Sequence, residues 1–333
     1  MPYPGLGASM RRREFISLIG SAVSWPLAAH AQQQLRKKIG ILYPGLSSSL
    51  APRVAAFRDG LQAAGYKELD NVELVLQATE GDPTRTLPSA RELAERKVDV
   101  IVAISPAAVH AAQSASTTIP IIALDLESDP VTSGLITSLS RPGGQVTGVF
   151  FDFPEFSKKW LELLKEAIPQ LTKIAVLWDP ATGPVQMKGV KSAGNALNLN
   201  LEILEVRGLA NLADSILVAS RLGVDAILML SSPVFGTNPE HLAGLTLGVR
   251  LPAVTLFPDF ARAGGFMAYG VSPVNMFRQG ASLAAKVLTG TKPSELPAEL
   301  PTKFELVINL KTAKSLGIVV PTSILARADE LIE

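Results

Sequence analysis

The sequence predicts an α/β protein of two doubly wound, parallel-sheet lobes joined by a three-strand hinge. Three observations point there. Short apolar runs alternate with helix-period segments from Lys37 onward, the pattern of strands buried on both faces and separated by crossover helices. The alternation breaks at Arg141-Pro142-Gly143-Gly144 and then begins again, which predicts two sheets rather than one long one. The chain has 333 residues, more than a single hydrophobic core usually serves.

The first series opens with a strand at 38–43 that runs into Pro44-Gly45. A helix follows with Val54, Phe57, Leu61 and Ala64 on one face and Gly65 as its stop. Residues 72–78 form the next strand, and Pro83 stands near the start of a helix carrying Leu87, Leu93 and Ala94. Strands at 99–104 and 119–124 flank a helix of small residues at 106–114, and 146–151 resumes the pattern after the break.

A helix at 156–167 starts the second series. Its strands fall at 173–178, 201–206, 225–230 and 252–257, with helices near 184–197, 211–222 and 239–249. The remainder holds a strand at 266–271, a helix at 275–288, a proline-punctuated connector at 293–301 and a strand at 304–309. These pieces are too few for a third lobe, so they complete sheets already begun. Crossings near 148, 271 and 304 assign 37–147 plus 272–303 to the first lobe and 148–271 plus 304–333 to the second.

Residues 1–31 have the order of an export signal. Arg11-Arg12-Arg13-Glu14-Phe15-Ile16 is a basic, twin-arginine-like start, residues 15–29 are mildly apolar, and Ala29-His30-Ala31 is a small-residue cleavage site. A periplasmic protein cleaved near Ala31 is expected. The apolar stretch is shorter than the roughly 20 residues that span a bilayer, and no stable membrane insertion is expected of the rest. Loss of residues 1–31 removes Arg11, Arg12, Arg13 and Glu14, which turns a net charge of +1 into −1. Nothing in that balance invites nucleic acid. The absence of cysteine excludes disulfides, thiolate metal sites and cysteine catalysis.

Several motifs occur together along the chain: Thr118-Ile119-Pro120-Ile121, Ser128-Asp129-Pro130-Val131, Ser140-Arg141-Pro142-Gly143-Gly144, Gly264-Gly265-Phe266-Met267-Ala268-Tyr269-Gly270, the run from Pro301 to Lys314, and Pro321 to Glu330. As a set they resemble the ABC transporter substrate-binding proteins of the tryptophan/aromatic type. The resemblance implies the type I periplasmic-binding-protein fold and a monomer that clamps a small organic ligand between two lobes. It also implies an ABC transporter permease as partner, no cofactor, and an aromatic amino acid or aromatic acid as the leading ligand. The same fold could instead serve a periplasmic sensing module. An enzyme is disfavoured: His110 and His241 lack partner motifs, and no phosphate-binding or nucleophile signature occurs.

In parallel α/β sheets, ligands lie beyond the carboxyl ends of the strands, at helix N-termini. Those ends nominate Tyr43, Ser47, Ser105, Ala107, Ala108 and Asp129 in the first lobe, and Trp178, Asp179, Ser231 and Phe257 in the second. Ser105 followed by Pro106 suits a helix start, and Ala107 and Ala108 would let a carboxylate reach backbone N–H groups. Tyr43 and Trp178 could stack an aromatic ring, and Asp179 could meet an amino group. Asp125, Glu127 and Asp129 alternate, but Pro130 follows and Ile136 holds the twelfth position. A calcium loop is therefore not expected; a solvated strand end is. No metal ligands are nominated.

Overall fold

The order of strands in space follows from how the chain shuttles between two sheets. The computed structural model describes Met1 and residues 36–333 except Asp152; the leader expected within 1–31 lies outside the described residues. The first series comprises β1 (Lys37–Tyr43), α1 (Ser47–Ala63), β2 (Val72–Ala78), α2 (Thr86–Glu95), β3 (Val100–Ile104), α3 (Pro106–Ala115), β4 (Ile121–Asp125) and β5 (Val146–Phe150). The second runs α4 (Phe153–Ala167), β6 (Lys173–Trp178), α5 (Val185–Ala196), β7 (Asn200–Glu205), α6 (Leu212–Arg221), β8 (Ala226–Met229), α7 (Pro233–Gly236), α8 (Pro239–Gly248), β9 (Ala253–Thr255), α9 (Pro258–Arg262) and β10 (Met267–Val271). The last elements are α10 (Pro273–Leu288), β11 (Phe304–Asn309), α11 (Leu310–Leu316), α12 (Thr322–Leu325) and β12 (Glu330–Ile332).

The first sheet has the order β2-β1-β3-β4-β5 and is parallel throughout. Its strands bury both faces, and alternate residues part into two cores. Ile39, Ile41, Val100, Val102, Ile122 and Leu124 face one side, while Leu42, Ile101, Ala103, Ile121 and Ala123 face the other. This is the two-residue period of the pleat. Helices α1 and α10 pack together over the first side, where Phe57 meets Phe277 edge-on at 6.5 Å. Helices α2 and α3 cover the second.

The second sheet has the order β12-β11-β10-β9-β8-β6-β7. It departs from the expected all-parallel sheet at one place: β10 and β11 are antiparallel, with Val271 opposite Phe304. Topology requires this. The chain leaves β10 at its carboxyl end to form α10 on the first sheet, and it returns to the second sheet at that same end. The strand it then builds must run backwards. The first passage also comes later than the expected position 148, because β5 to Phe150 belongs wholly to the first sheet.

The passages between sheets are pinned by aromatic rings. Phe151 meets Phe156 at 4.2 Å, and Phe156 meets Phe304 at 4.8 Å and Tyr269 at 5.6 Å. The Trp160 indole N–H donates to the Tyr269 carbonyl at 2.6 Å. One glycine is also required there. A Cβ on Gly148 would lie 2.0 Å from the Ala123 carbonyl oxygen in the neighbouring strand.

Candidate functional site

The carboxyl ends of β1, β3, β4 and β9 converge on a cavity of about 30 Å³ between the lobes. Tyr43, Ile104, Leu124 and Leu126 line it from the first sheet, Met276 and Phe277 from α10, and Pro233, Gly236 and Phe257 from the second lobe. The walls are therefore apolar. Among the described residues, the charged side chains that line them are Glu127 and Arg53.

Glu127 is aimed inward by Asp125. That carboxylate, at the end of β4, accepts the N–H groups of Glu127 at 2.8 Å and Ser128 at 3.0 Å, and also the Ser128 hydroxyl. Such a side-chain-closed turn replaces ladder pairing once the strand ends. Glu127 Oε1 accepts the Ser231 hydroxyl at 2.8 Å, whereas its Oε2 is buried without a partner. Burial holds the Asp125 carboxyl above its ordinary value despite its hydrogen bonds. Burial, joined by the nearby Asp125 charge, holds Glu127 well above its own. The expected solvated strand end is thus corrected: Asp125 and Glu127 are buried, and only Asp129 reaches partial exposure.

Arg53 comes from the apolar face of α1, in line with Leu50, Phe57 and Leu61. Its guanidinium lies 5.5 Å from the Tyr43 ring centre. It donates to the Tyr43 hydroxyl at 2.6 Å and, across the lobes, to the Gly236 carbonyl at 3.0 Å. Among the described residues no carboxylate lies within 4.0 Å of it. Arg53–Gly236 and Ser231–Glu127 bridge the two lobes. Ser231 is itself fixed by Gln186, which accepts its backbone N–H at 2.7 Å and donates to its carbonyl at 2.8 Å.

Two wider hollows flank the cavity. One of about 390 Å³ is lined by Ser49, Arg53, Glu240, Arg262 and Pro273, among others. Another of about 450 Å³ lies between Glu80–Pro83 of the first lobe and Asp179, Arg207 and Val234 of the second.

The structure brings Tyr43 and Phe257 to the cavity wall and Ser231 within one hydrogen bond of it. Asp179 borders the outer groove, where it accepts the Ala181 N–H and the Ser232 hydroxyl. Ser47 is exposed, with its N–H on Glu80. Ala107 is exposed and Ala108 packs into the core behind α3. Asp129 closes its own turn on Val131 and Thr132, and the Trp178 indole donates to Gly183. Ser105 is buried beside the wall residue Ile104, with φ 82° and ψ 158° and no partner for its hydroxyl. That backbone region suits glycine and costs a serine about 1–3 kcal/mol.

Sequence reasoning missed Arg53, Met276 and Phe277 and gave Glu127 no role in binding. Arg53 carried a signal, a lone cation on the buried stripe of an amphipathic helix. Met276 and Phe277 carried none, because ordinary core residues look the same.

The sequence model of the family described as ABC transporter substrate binding protein matches residues 38–332. A tyrosine-binding protein of Clostridioides difficile (strain R20291) is 26% identical over 285 residues, 85% of this chain and 81% of that protein. A conserved domain protein from Vibrio cholerae superposes with a TM-score of 0.82 at 26% identity, covering 89% of this chain and 99% of that one. The ABC domain in complex with L-Trp from Streptococcus pneumoniae gives the same TM-score of 0.82 and 26% identity, covering 89% of this chain and 100% of that one. The two-lobed architecture is that of type I periplasmic binding proteins and LacI family regulators.

Proposed function

The chain belongs to the ABC transporter substrate-binding protein family, and from that premise we propose that it clamps an aromatic amino acid or aromatic acid between its lobes for an ABC import system. It is a binding protein, not an enzyme. The observation that carries the ligand reading is the apolar cavity closed from both lobes by Leu126, Phe257, Met276 and Phe277. An aromatic side chain buries about 150–250 Å², worth roughly 4–6 kcal/mol at about 25 cal/mol per Å². Micromolar affinity needs about 8 kcal/mol, so apolar burial supplies much of it and polar contacts must add the rest. The names of two relatives, one tyrosine-binding and one in complex with L-Trp, lean the same way.

The protein acts in the periplasm as a monomer, after cleavage near Ala31, and hands its ligand to a permease; the basic start and small-residue site at 11–31 support export. Differential scanning fluorimetry of the chain beginning at Gln32 tests the ligand reading. Aromatic amino acids or aromatic acids should raise the melting temperature in proportion to the logarithm of concentration and compact the particle in small-angle scattering. Shifts from non-aromatic solutes alone would overturn it.

A further inference from the structure

Where the two lobes meet, two carboxyls of one turn are buried together. Asp125 is 0% and Glu127 4% exposed. Asp125 accepts three donors, the N–H groups of Glu127 and Ser128 and the Ser128 hydroxyl. Glu127 accepts one, the Ser231 hydroxyl of the opposite lobe, and among the described residues its Oε2 makes no direct hydrogen bond. The charged and titratable groups around the pair do not neutralise it. Arg53 of α1 lines the same cavity but donates to the Tyr43 hydroxyl and the Gly236 carbonyl. Tyr43 of β1 bonds Arg53 and Ser49. Asp129 closes its own turn on Val131 and Thr132. From the second lobe, Asp179 beyond Ser231 is itself an acid, and it accepts the Ser232 hydroxyl and the Ala181 N–H. The cavity surfaces given by α7, α10 and Phe257 are uncharged.

Two adjacent buried carboxylates without a cation are costly. The three donors keep the charge on Asp125, so the proton resides on Glu127. We infer that the meeting of the lobes takes up one proton on Glu127, so that the empty clamp closes in acid surroundings and opens in alkaline ones. This goes beyond the binding reading and does not depend on which ligand the cleft takes. Parting the lobes separates Ser231 from Glu127 and admits water to the cavity wall, where a carboxyl ionises in its ordinary range. With the lobes joined, burial, and after it the Asp125 charge, holds the Glu127 carboxyl well above that range. The joined form therefore binds the proton more tightly than the open one. Its advantage is full below the ordinary value of 4.5 and declines as pH rises from there through the buried value. Within that window each pH unit should lower the closed-to-open ratio by up to about tenfold.

The test is small-angle scattering of the ligand-free chain beginning at Gln32, from mildly acid to mildly alkaline pH, with infrared spectra in heavy water at the same points. The radius of gyration should grow with pH, and the C=O band of a protonated carboxyl should fade over the same range. Glu127→Gln, a neutral mimic of the protonated acid, should stay compact throughout. A wild-type radius of gyration that does not change with pH overturns the inference. So does equal growth in Glu127→Gln, and so does growth without loss of the infrared band, since the opening then has another cause. Loss of the circular dichroism of the helices over the same range would mark unfolding rather than opening and also overturns it. Each of these failures leaves the ligand reading intact, because no ligand is present. The paired scattering and infrared measurement uses the unaltered protein, so it decides the question even where the variant folds poorly.

Discussion

Replacing Ser231 by alanine should move the empty protein towards an open form. Among the described residues, the Ser231 hydroxyl is the partner of the Glu127 carboxyl from the opposite lobe, at 2.8 Å, and Oε2 makes no direct hydrogen bond. Its removal leaves a buried acid, 4% exposed, without that bond. A buried polar group stripped of its partner costs about 1–3 kcal/mol. The cost falls on the closed form alone, because water reaches Glu127 once the lobes part. The closed-to-open ratio should therefore drop roughly 5- to 150-fold. The apparent dissociation constant should rise by up to that factor, since the competent form is less populated. Small-angle scattering of the ligand-free variant should show a larger radius of gyration, and titration calorimetry should show the weaker affinity. Combined with Glu127→Gln, the effect of Ser231→Ala should shrink to that of one neutral hydrogen bond, about 1 kcal/mol. Scattering and affinity both unchanged from wild type would refute the role given to this contact.

Three further outcomes follow from the same geometry. Gly148→Ala would place a Cβ 2.0 Å from the Ala123 carbonyl oxygen; parting β4 from β5 should cost at least about 3 kcal/mol and lower the melting temperature by roughly 6–12 °C, and an unchanged melting curve would count against the strand register. Glu127 holds its proton more tightly folded than unfolded, because burial and then Asp125 raise it well above its ordinary 4.5. Its contribution to stability is therefore full below that value and declines as pH rises from there through the folded-state value; Glu127→Gln should remove this declining limb from a plot of melting temperature against pH. Asp225 behaves oppositely: burial works against its ionisation, but the N–H groups of Thr172 and Lys173 and the Thr172 hydroxyl outweigh it and lower it below its ordinary 3.8. Its stabilisation is present above that value and fades as pH falls through the folded-state one, so Asp225→Ala should cost about 1–3 kcal/mol in urea unfolding at neutral pH and little in strong acid.

The elements were legible because their signals are local. The apolar run at 38–43 and the stripe Val54, Phe57, Leu61 announced a strand and a helix without any knowledge of neighbours, and Pro106 and Pro273 each stand at the first helical position where a missing N–H costs nothing. The repeated alternation after 156 and the short C-terminal pieces were enough to imply two sheets visited in turn, although the break at Arg141 to Gly144 itself lies between β4 and β5 of the first sheet. The reversed direction of β11 is a consequence of that shuttling, yet it becomes visible only when the return point beside Val271 is known.

The site was legible in its framework and not in its chemistry. Strand ends drew attention to Tyr43 and Phe257, which line the cavity, and to Ser231, which bonds Glu127 there, since the parallel sheet must present them at one edge. The same rule also nominated Ser47 and Asp129, which the chain uses for nearby hydrogen bonds on Glu80 and Thr132. Residue periodicities and motifs were enough for two α/β lobes, the order of the longer strands and helices, and the family; the short helices Pro233–Gly236 and Pro258–Arg262 and the last strand Glu330–Ile332 were not read from them. Tertiary structure alone decided which polar groups face each other. Glu127 and Ser231 are 104 residues apart, and Arg53 and Gly236 are 183 apart. Such pairings depend on how two separately folded sheets close on one another, and no local spacing encodes that distance.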